Sequence, residues 1–120
     1  MKTTPVNTSY GVIYGRNALI IKNHTITFMP FTATIRCSLS LAACIPAVLD
    51  VPPVDMTISF TKIKKLCIYK IDDYPYEKYT SSSFDKITDA DVEDRYILST
   101  YDYVFDITGE HETYQKIKPS

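Results

Sequence analysis

Four lysines on one predicted strand are the side chains of this chain best suited to bind an anion. Ammonium groups gathered near a turn can meet several phosphate oxygens at once, which is the chemistry of contact with an anionic surface. Exposed strand positions also favour lysine because its charge solvates the sheet and discourages pairing at sheet edges. The sequence leaves both interpretations open for Lys62, Lys64, Lys65 and Lys70.

Tyrosines in the polar segment that follows are the second group of candidates. A tyrosine ring packs against apolar atoms while its hydroxyl adapts to different hydrogen-bond partners, and both properties are favoured at protein interfaces. Because a loop has little core to pack against, we expect these rings to contact a partner, with ordinary half-buried packing as the alternative. The candidates are Tyr74, Tyr76 and Tyr79.

Neither a metal site nor a cofactor site is predicted. The alternating acids Asp89, Asp91 and Glu93 imitate the start of a calcium loop, but Asp94 stands where that loop needs its glycine, and no glutamate sits at the twelfth position. The three cysteines form no C-x-x-C pair, which argues against a zinc site and against a disulfide framework.

The sequence also predicts that the protein is not an enzyme. Its two histidines, His24 and His111, are separated by most of the chain. A nucleophile elbow, a phosphate-cradling glycine loop and an H-E-x-x-H helix are all missing from the sequence.

Composition indicates one domain that is mainly β. A chain of 120 residues is large enough to bury a core and too small to divide comfortably in two. Ten tyrosines and only three glycines, together with many Thr, Ile and Val residues, favour strands.

Charge is distributed unevenly along the chain. Residues 1–70 carry eight basic and two acidic residues, whereas residues 71–120 carry five basic and twelve acidic ones, so the formal charges are +6 and −7. Attraction between the two halves of one compact domain is the simpler interpretation, and a basic face for an anionic lipid or a partner is the alternative. With a pI near 6.1 and no arginine-rich stretch, nucleic acid is not an expected partner.

The first residues and the cysteines predict a cytoplasmic location. Residues 1–10 lack the apolar region of a secretory signal, and an odd number of cysteines favours a reducing compartment. The uncharged run Cys37–Leu49 has thirteen residues, fewer than the roughly 20 that a membrane-spanning helix needs. Peripheral association at the inner face of the membrane, through residues 31–54, stays open as an alternative.

The first half of the chain contains the clearest strand signals. Residues 1–9 are predicted to form a flexible leader to a single domain over residues 10–120, with a short strand near Tyr10–Tyr14. A hairpin is expected over residues 18–29, turning at Asn23–His24 because Asn tolerates the left-handed conformation of tight turns. The apolar insert, residues 31–54, fits either a helix or paired buried strands, packed on the core or touching lipid.

A break in the strand period marks residues 56–71. Ile58, Phe60, Ile63 and Leu66 are separated by two, three and three residues, where an uninterrupted strand keeps to twos. Such a skip predicts a turn or a bulge that lets both halves of the strand face one core. We expect Ile68 to point inward with the others.

The remainder of the chain predicts a long excursion, a hairpin and a closing helix. Residues 72–95 are acidic and tyrosine-rich, with a helical turn expected after Thr88. A hairpin follows over residues 96–107, bending at Tyr101–Asp102. Beyond it, Thr108 is a plausible helix cap, with acids in the first turn and lysines near the end.

This order of elements resembles a bacterial pleckstrin-homology domain of the GRAM-like kind. The similar pieces are ALIIKNHTITFMP, ISFTKIKKLCIYK and YILSTYDYVFDITGEHETYQKI, starting at residues 18, 58 and 96. The resemblance implies a mainly β (α+β) fold: a strongly bent antiparallel sheet or partly open barrel, capped by a C-terminal helix. It also implies a binding module. Glycines usual after the first strands and in the last hairpin are missing here, and the acidic excursion is longer than the family pattern.

Two functions are therefore carried forward. The first is a noncatalytic binding module that contacts an anionic membrane surface or a protein partner through the lysines and the tyrosine-rich excursion. The second is a small inhibitor or immunity protein whose acidic loop occupies a basic site on a partner enzyme.

Overall fold

Nine strands and two short 3-10 helices form the part of the fold that the structure describes. The computed structural model describes residues 2–15, 17–74, 82–88 and 94–115, and of residues 112–115 it describes the backbone alone. The 3-10 helices are Leu41–Ala43 and Ile71–Asp73. The strands are β1 (Thr3–Pro5), β2 (Val12–Ile13), β3 (Leu19–Phe28), β4 (Phe31–Leu39), β5 (Cys44–Ile45), β6 (Val54–Lys70), β7 (Phe84–Ile87), β8 (Arg95–Ser99) and β9 (Tyr103–Gln115).

Seven strands form one open antiparallel sheet, which confirms the mainly β prediction. Their order is β1-β7-β8-β9-β6-β4-β3, while β2 and β5 form a separate pair. The sheet does not close, since β1 and β3 are its edges. Edge strand β3 carries a bulge between Ile21 and Asn23, and an exposed lysine at an irregular position protects such an edge from pairing with another chain.

The predicted skip in β6 is confirmed as a bulge opposite a glycine. Thr61 pairs with Glu110 and Lys65 with Thr108, so three residues of β6 stand across from Gly109 alone. Lys62, the first of the three, has a φ of 51°. A Cβ on Gly109 would lie 2.9 Å from the Thr61 carbonyl oxygen and 3.0 Å from the Ile63 Cα. Glycine therefore permits the close approach of the two strands at this bulge.

One large apolar core lies on the face to which both halves of β6 contribute. Phe60 is fully buried and Ile63 is 6% exposed, so residues on the two sides of the break share one core. Leu66 packs against the same cluster, whereas Ile68 is 45% exposed. The inward placement expected for Ile68 is therefore wrong, because the core does not extend that far along β6.

The predicted hairpin over residues 18–29 turns in a different place. β3 runs without a turn through Asn23–His24, and its register with β4 continues to the pair Phe28 and Phe31. The turn is formed by Met29 and Pro30. Asn favours turns locally. The pairing of β3 with β4 continues past the bulge in β3, however, and outweighs that preference.

The apolar insert, residues 31–54, was predicted to form either a helix or paired buried strands, and it forms paired strands. In β4, Ala33, Ile35, Cys37 and Leu39 are all at most 1% exposed, and the alternate residues face the other side of the sheet. The rest of the insert forms a 3-10 turn and the short strand β5, which pairs with β2. No helix among the described residues is long and apolar enough to cross a bilayer.

Two segments predicted to be irregular contain strands. Part of the expected leader, Thr3–Pro5, is strand β1, which pairs with β7. β7 itself lies within the predicted excursion over residues 72–95. Within the described part of the excursion, Asp85 is fully buried and accepts a 2.9 Å hydrogen bond from the Ser82 hydroxyl, so it does not contribute to an acidic surface. The helical turn expected after Thr88 falls on residues 89–93, outside the described residues.

The hairpin over residues 96–107 is confirmed, but the closing helix is wrong. β8 and β9 pair around the bend at Tyr101–Asp102. β9 then continues as a strand to Gln115 and pairs with Met56–Thr61 of β6. Capping signals act within one turn of chain, whereas pairing with β6 satisfies the backbone groups of the segment and packs His111 against core aromatic rings. An α-helix occurs nowhere in the described ranges.

Candidate functional site

Three of the four predicted lysines lie at the bulge where β6 faces Gly109 of β9. We call this region the corner, meaning Lys62–Lys65 of β6 and Thr108–Glu110 of β9. Lys62, Lys64 and Lys65 are all exposed there. Lys70 lies five residues further along β6, which at a rise of about 3.3 Å per residue is about 17 Å beyond Lys65. The structure therefore does not bring the four lysines into one patch.

A shallow depression of about 210 Å³ lies at the corner. It lies where the bulge of β6 faces Gly109 of β9. Its rim combines ammonium groups with carboxylates and one hydroxyl. The lining residues are Lys62, Lys64, Asp94, Thr108, Gly109 and Glu110.

The acids near the corner neutralise only part of its positive charge. The Lys62 ammonium lies 3.5 Å from a Glu110 carboxylate oxygen, with the two side chains 77% and 56% exposed. Lys86 reaches Asp94 at 3.6 Å, again between exposed side chains. Such exposed pairs are weak and exchange partners readily. Counted together, Lys62, Lys64, Lys65 and Lys86 carry four positive charges. Glu110 and Asp94 carry two negative ones, so these six side chains have a formal charge of +2.

Arg95 and Asp106 form a stronger ion pair beside the corner, which the sequence did not signal. Nε of Arg95 donates to one oxygen of Asp106 at 2.9 Å, and Nη2 donates to the other at 2.6 Å. Only 25% and 10% of the two side chains are exposed. This two-pronged geometry holds β8 against β9 beside the corner. Opposite charges eleven residues apart carry no signal of pairing unless the hairpin register is known.

An exposed apolar hairpin tip lies at the same end of the sheet as the corner. We call Phe28–Phe31 the tip; Met29 is 94% exposed and Phe28 is 78% exposed. Phe60 of β6 pairs with Ala33 of β4. The tip ends two residues before Ala33 and the bulge begins two residues after Phe60, so both lie beyond the same end of the β4–β6 ladder. The sequence did signal this surface, since Phe and Met replace the polar residues usual in turns, but placing the turn at Asn23–His24 concealed it.

The tyrosine candidates are not shown together on a surface. Tyr74 is only 8% exposed and belongs to a second apolar cluster with Ile87, Ile97 and Val104. Its ring packs edge-on against Tyr69 with centroids 5.4 Å apart. Tyr74 therefore packs on apolar side chains, as in the alternative interpretation, and is more deeply buried than that interpretation expected. Tyr76 and Tyr79 lie outside the described residues, as do Asp89, Asp91 and Glu93.

His111 lies in a cage of aromatic rings at the margin of the core. Its ring centroid is 4.5 Å from that of Tyr96, 5.3 Å from Phe84 and 6.3 Å from Phe60. Burial among these rings lowers the pKa of His111 below its ordinary 6.5, and the nearby Lys86 lowers it further, against a smaller opposite effect of Asp94. The folded protein therefore favours the neutral imidazole.

This lowered pKa predicts a loss of stability in mild acid. Because the unfolded chain binds a proton at His111 more readily than the folded one, the contribution of His111 is complete above pH 6.5 and falls as the pH drops toward the folded-state pKa. Urea unfolding at pH 7.5 and pH 5.0 should show a smaller decrease for His111→Gln than for the wild type. An equal decrease in both proteins would show that His111 is not responsible.

The cysteines have the properties of core residues. Cys37 and Cys44 are buried, and burial raises the pKa of the Cys37 thiol to about 12 and that of Cys44 as well. Both are therefore protonated at neutral pH and poor nucleophiles. Within the part of the chain that the structure describes, no cluster of three or more His, Cys, Asp or Glu side chains is arranged to hold a metal ion.

Comparison with known proteins gives no relative from which a function could be transferred. No protein-family model matches the chain, and no curated protein or solved structure matches it either.

Proposed function

We propose that this protein is a noncatalytic binding module that contacts an anionic membrane surface through the corner. The observation that carries the proposal is the position of Lys62, Lys64 and Lys65 at the backbone bulge of β6 and directly after it, where all three side chains are exposed.

The geometry favours contact with a surface over enclosure of a small molecule. The depression at the corner has a volume of about 210 Å³, below the roughly 300–1,000 Å³ of small-molecule pockets. A lysine close to an anionic bilayer contributes about 1 kcal/mol to binding. Three lysines together would therefore bind weakly and reversibly, and the attraction would decrease as salt screens it.

The bulge also interrupts the regular alternation of side chains in the part of β6 that carries the lysines. In a regular strand, Lys62 and Lys65 would project from opposite faces because their separation is odd. The three residues opposite Gly109 change that alternation, and Ile63 stays in the core while its lysine neighbours remain exposed. The ion pair between Arg95 and Asp106 fixes the β8–β9 pair next to this region.

The resemblance to bacterial pleckstrin-homology domains stays a prediction. Its support is the antiparallel sheet, interrupted by the bulge in β6. The strand at Thr108–Gln115, in place of a helix, departs from that pattern. A cytoplasmic location, with peripheral attachment to the inner face of the membrane, is likewise a prediction, supported by free thiols at Cys37, Cys44 and Cys67.

Charge reversal at the corner tests the proposal. We expect Lys64→Glu/Lys65→Glu to reduce co-sedimentation with vesicles containing phosphatidylserine by at least about tenfold, because two attractive charges become repulsive. The matched control is Lys22→Glu/Lys70→Glu, which makes the same change in net charge at exposed lysines away from the corner.

The control should bind far better than the corner variant. If both double variants lose binding equally, net charge and not the corner governs attachment, and the proposal fails. Circular dichroism and urea unfolding of each variant establish that the fold is intact, which is expected because all four positions are exposed.

A further inference from the structure

The tip combines exposed apolar side chains with an absence of charged residues. Met29 and Phe28 are 94% and 78% exposed, although turn residues are ordinarily polar because water must solvate them. The Phe28 and Phe31 rings lie 6.2 Å apart and form one apolar surface. From Asn23 to Ile35 the sequence contains no Asp, Glu, Lys or Arg, so the whole end of this hairpin lacks formal charge.

Backbone polar groups at the tip are partly satisfied without water. Pro30 has no backbone N–H, and its carbonyl oxygen accepts a 2.7 Å hydrogen bond from the Thr27 hydroxyl. The Thr27 hydroxyl also contacts that of Thr32. Unsatisfied backbone groups are what normally prevent a turn from entering an apolar medium. Moving this turn out of water therefore costs less free energy than moving a turn whose backbone groups have no partner in the protein.

The position of the tip identifies the medium that it would enter. The register of β4 with β6 puts the tip and the corner at the same end of the β4–β6 pair, so the apolar tip has the exposed lysines of the corner beside it. Apolar residues flanked by lysine form the pattern that binds at a bilayer interface, where anionic headgroups meet the acyl chains. A protein groove would provide an apolar contact for the tip but would not by itself require the neighbouring lysines.

We propose that Phe28 and Met29 insert into the interfacial region of the anionic bilayer whose headgroups the corner contacts. This inference rests on the proposed function, and it adds an apolar component of binding that salt does not screen. It also sets the orientation of the protein, with the tip end of the sheet facing the membrane. The opposite end of the β4–β6 pair, where Leu39 pairs with Val54, then faces away.

The far end of the molecule supplies a matched control. Leu49 is 67% exposed and Val48 is 46% exposed, in the segment that joins β5 to β6 near the Leu39–Val54 pair. These side chains are apolar and accessible, but they lie away from the corner. General stickiness of exposed apolar residues would act equally at both ends.

Tryptophan scanning provides the test, because the chain contains no tryptophan and an introduced one is the sole such reporter. With vesicles of phosphatidylserine and phosphatidylcholine, Phe28→Trp should show a blue-shifted emission that brominated lipids quench. Leu49→Trp should show neither change. In addition, Phe28→Ser/Met29→Ser should lower the partition coefficient at least about tenfold, whereas Val48→Ser/Leu49→Ser should not, since only the first pair loses apolar burial in the bilayer.

The outcomes separate this inference from the proposed function. If Phe28→Trp co-sediments with anionic vesicles without a change in emission or quenching, insertion is wrong while attachment through the lysines stands. Equal quenching of Phe28→Trp and Leu49→Trp would also overturn the inference. If the wild-type protein does not co-sediment with anionic vesicles at all, the proposed function itself fails, and the inference fails with it.

Discussion

Replacing Phe60 with alanine is expected to lower the free energy of unfolding by about 3–5 kcal/mol. Phe60 is fully buried and its ring centroid lies 6.1 Å from both Phe84 and Tyr96. It is also the last residue of β6 that pairs with β4 before the bulge. Alanine would leave a cavity among rings contributed by β7, β8 and β9, and packed rings cannot collapse fully to fill it.

The matched control for this change is Phe28→Ala, which removes the same atoms from an exposed ring. Urea unfolding at pH 7.5 should show a loss below about 1 kcal/mol for Phe28→Ala, as is usual for surface substitutions. A loss for Phe60→Ala no greater than that for Phe28→Ala would contradict the placement of Phe60 at the centre of the core. Domains of this size have a total stability of about 5–15 kcal/mol, so Phe60→Ala is expected to remove a large fraction of it.

Replacing Gly11 with alanine is expected to destabilise the protein by about 3 kcal/mol. Gly11 has a φ of 90°, and an added Cβ would lie 2.0 Å from the backbone oxygen of Ile45. The unfavourable φ costs a non-glycine residue about 1–2 kcal/mol, and forcing atoms into a packed contact adds about 1–3 kcal/mol. Relief requires separation of β2 from β5, because the obstructing atom belongs to the backbone.

Gly15→Ala isolates the steric part of that effect. Gly15 has a φ of 97° but no atom within 4 Å of an added Cβ, so alanine there meets the conformational cost alone. In thermal unfolding, the midpoint temperature of Gly11→Ala should be well below that of Gly15→Ala. Equal midpoints would show that the approach of Gly11 to Ile45 is not a fixed feature of the fold.

The sequence was sufficient to predict the break in β6, which the structure resolves as a bulge, because its signal is local and periodic. Apolar residues separated by two, three and three positions can share one core only if the strand skips. The bend at Tyr101–Asp102 was predictable for a similar reason, since strand-forming residues flank a short polar pair. Both predictions depend on side-chain alternation within one strand or hairpin.

The segment after Thr108 and the turn of the first hairpin were not predictable in this way. A threonine followed by acids and then lysines fits a capped helix, and the same residues fit a strand once β6 is available as a partner. Asn23–His24 fits a turn until the ladder with β4 carries the strand past it. In both cases long-range pairing outweighs a local preference, and pairing partners are not visible in a single sequence.

The candidate site was predictable in its chemistry but not in its extent. The lysines of β6 were recognised from composition and spacing, yet Lys70 could be separated from the others only when the length of β6 was known. The apolar tip was missed because its meaning depends on exposure. The ion pair between Arg95 and Asp106 needs the register of β8 with β9.

The most direct measurement of the central claim is the partition coefficient of the wild-type protein on vesicles as the mole fraction of phosphatidylserine is raised from zero at constant salt. We expect no measurable binding to pure phosphatidylcholine and a steep rise with anionic lipid, because the corner lysines respond to surface potential. Added salt should reduce the lysine component of this binding. Equal binding to neutral and anionic vesicles, or no binding to either at low salt, would contradict attachment through Lys62, Lys64 and Lys65.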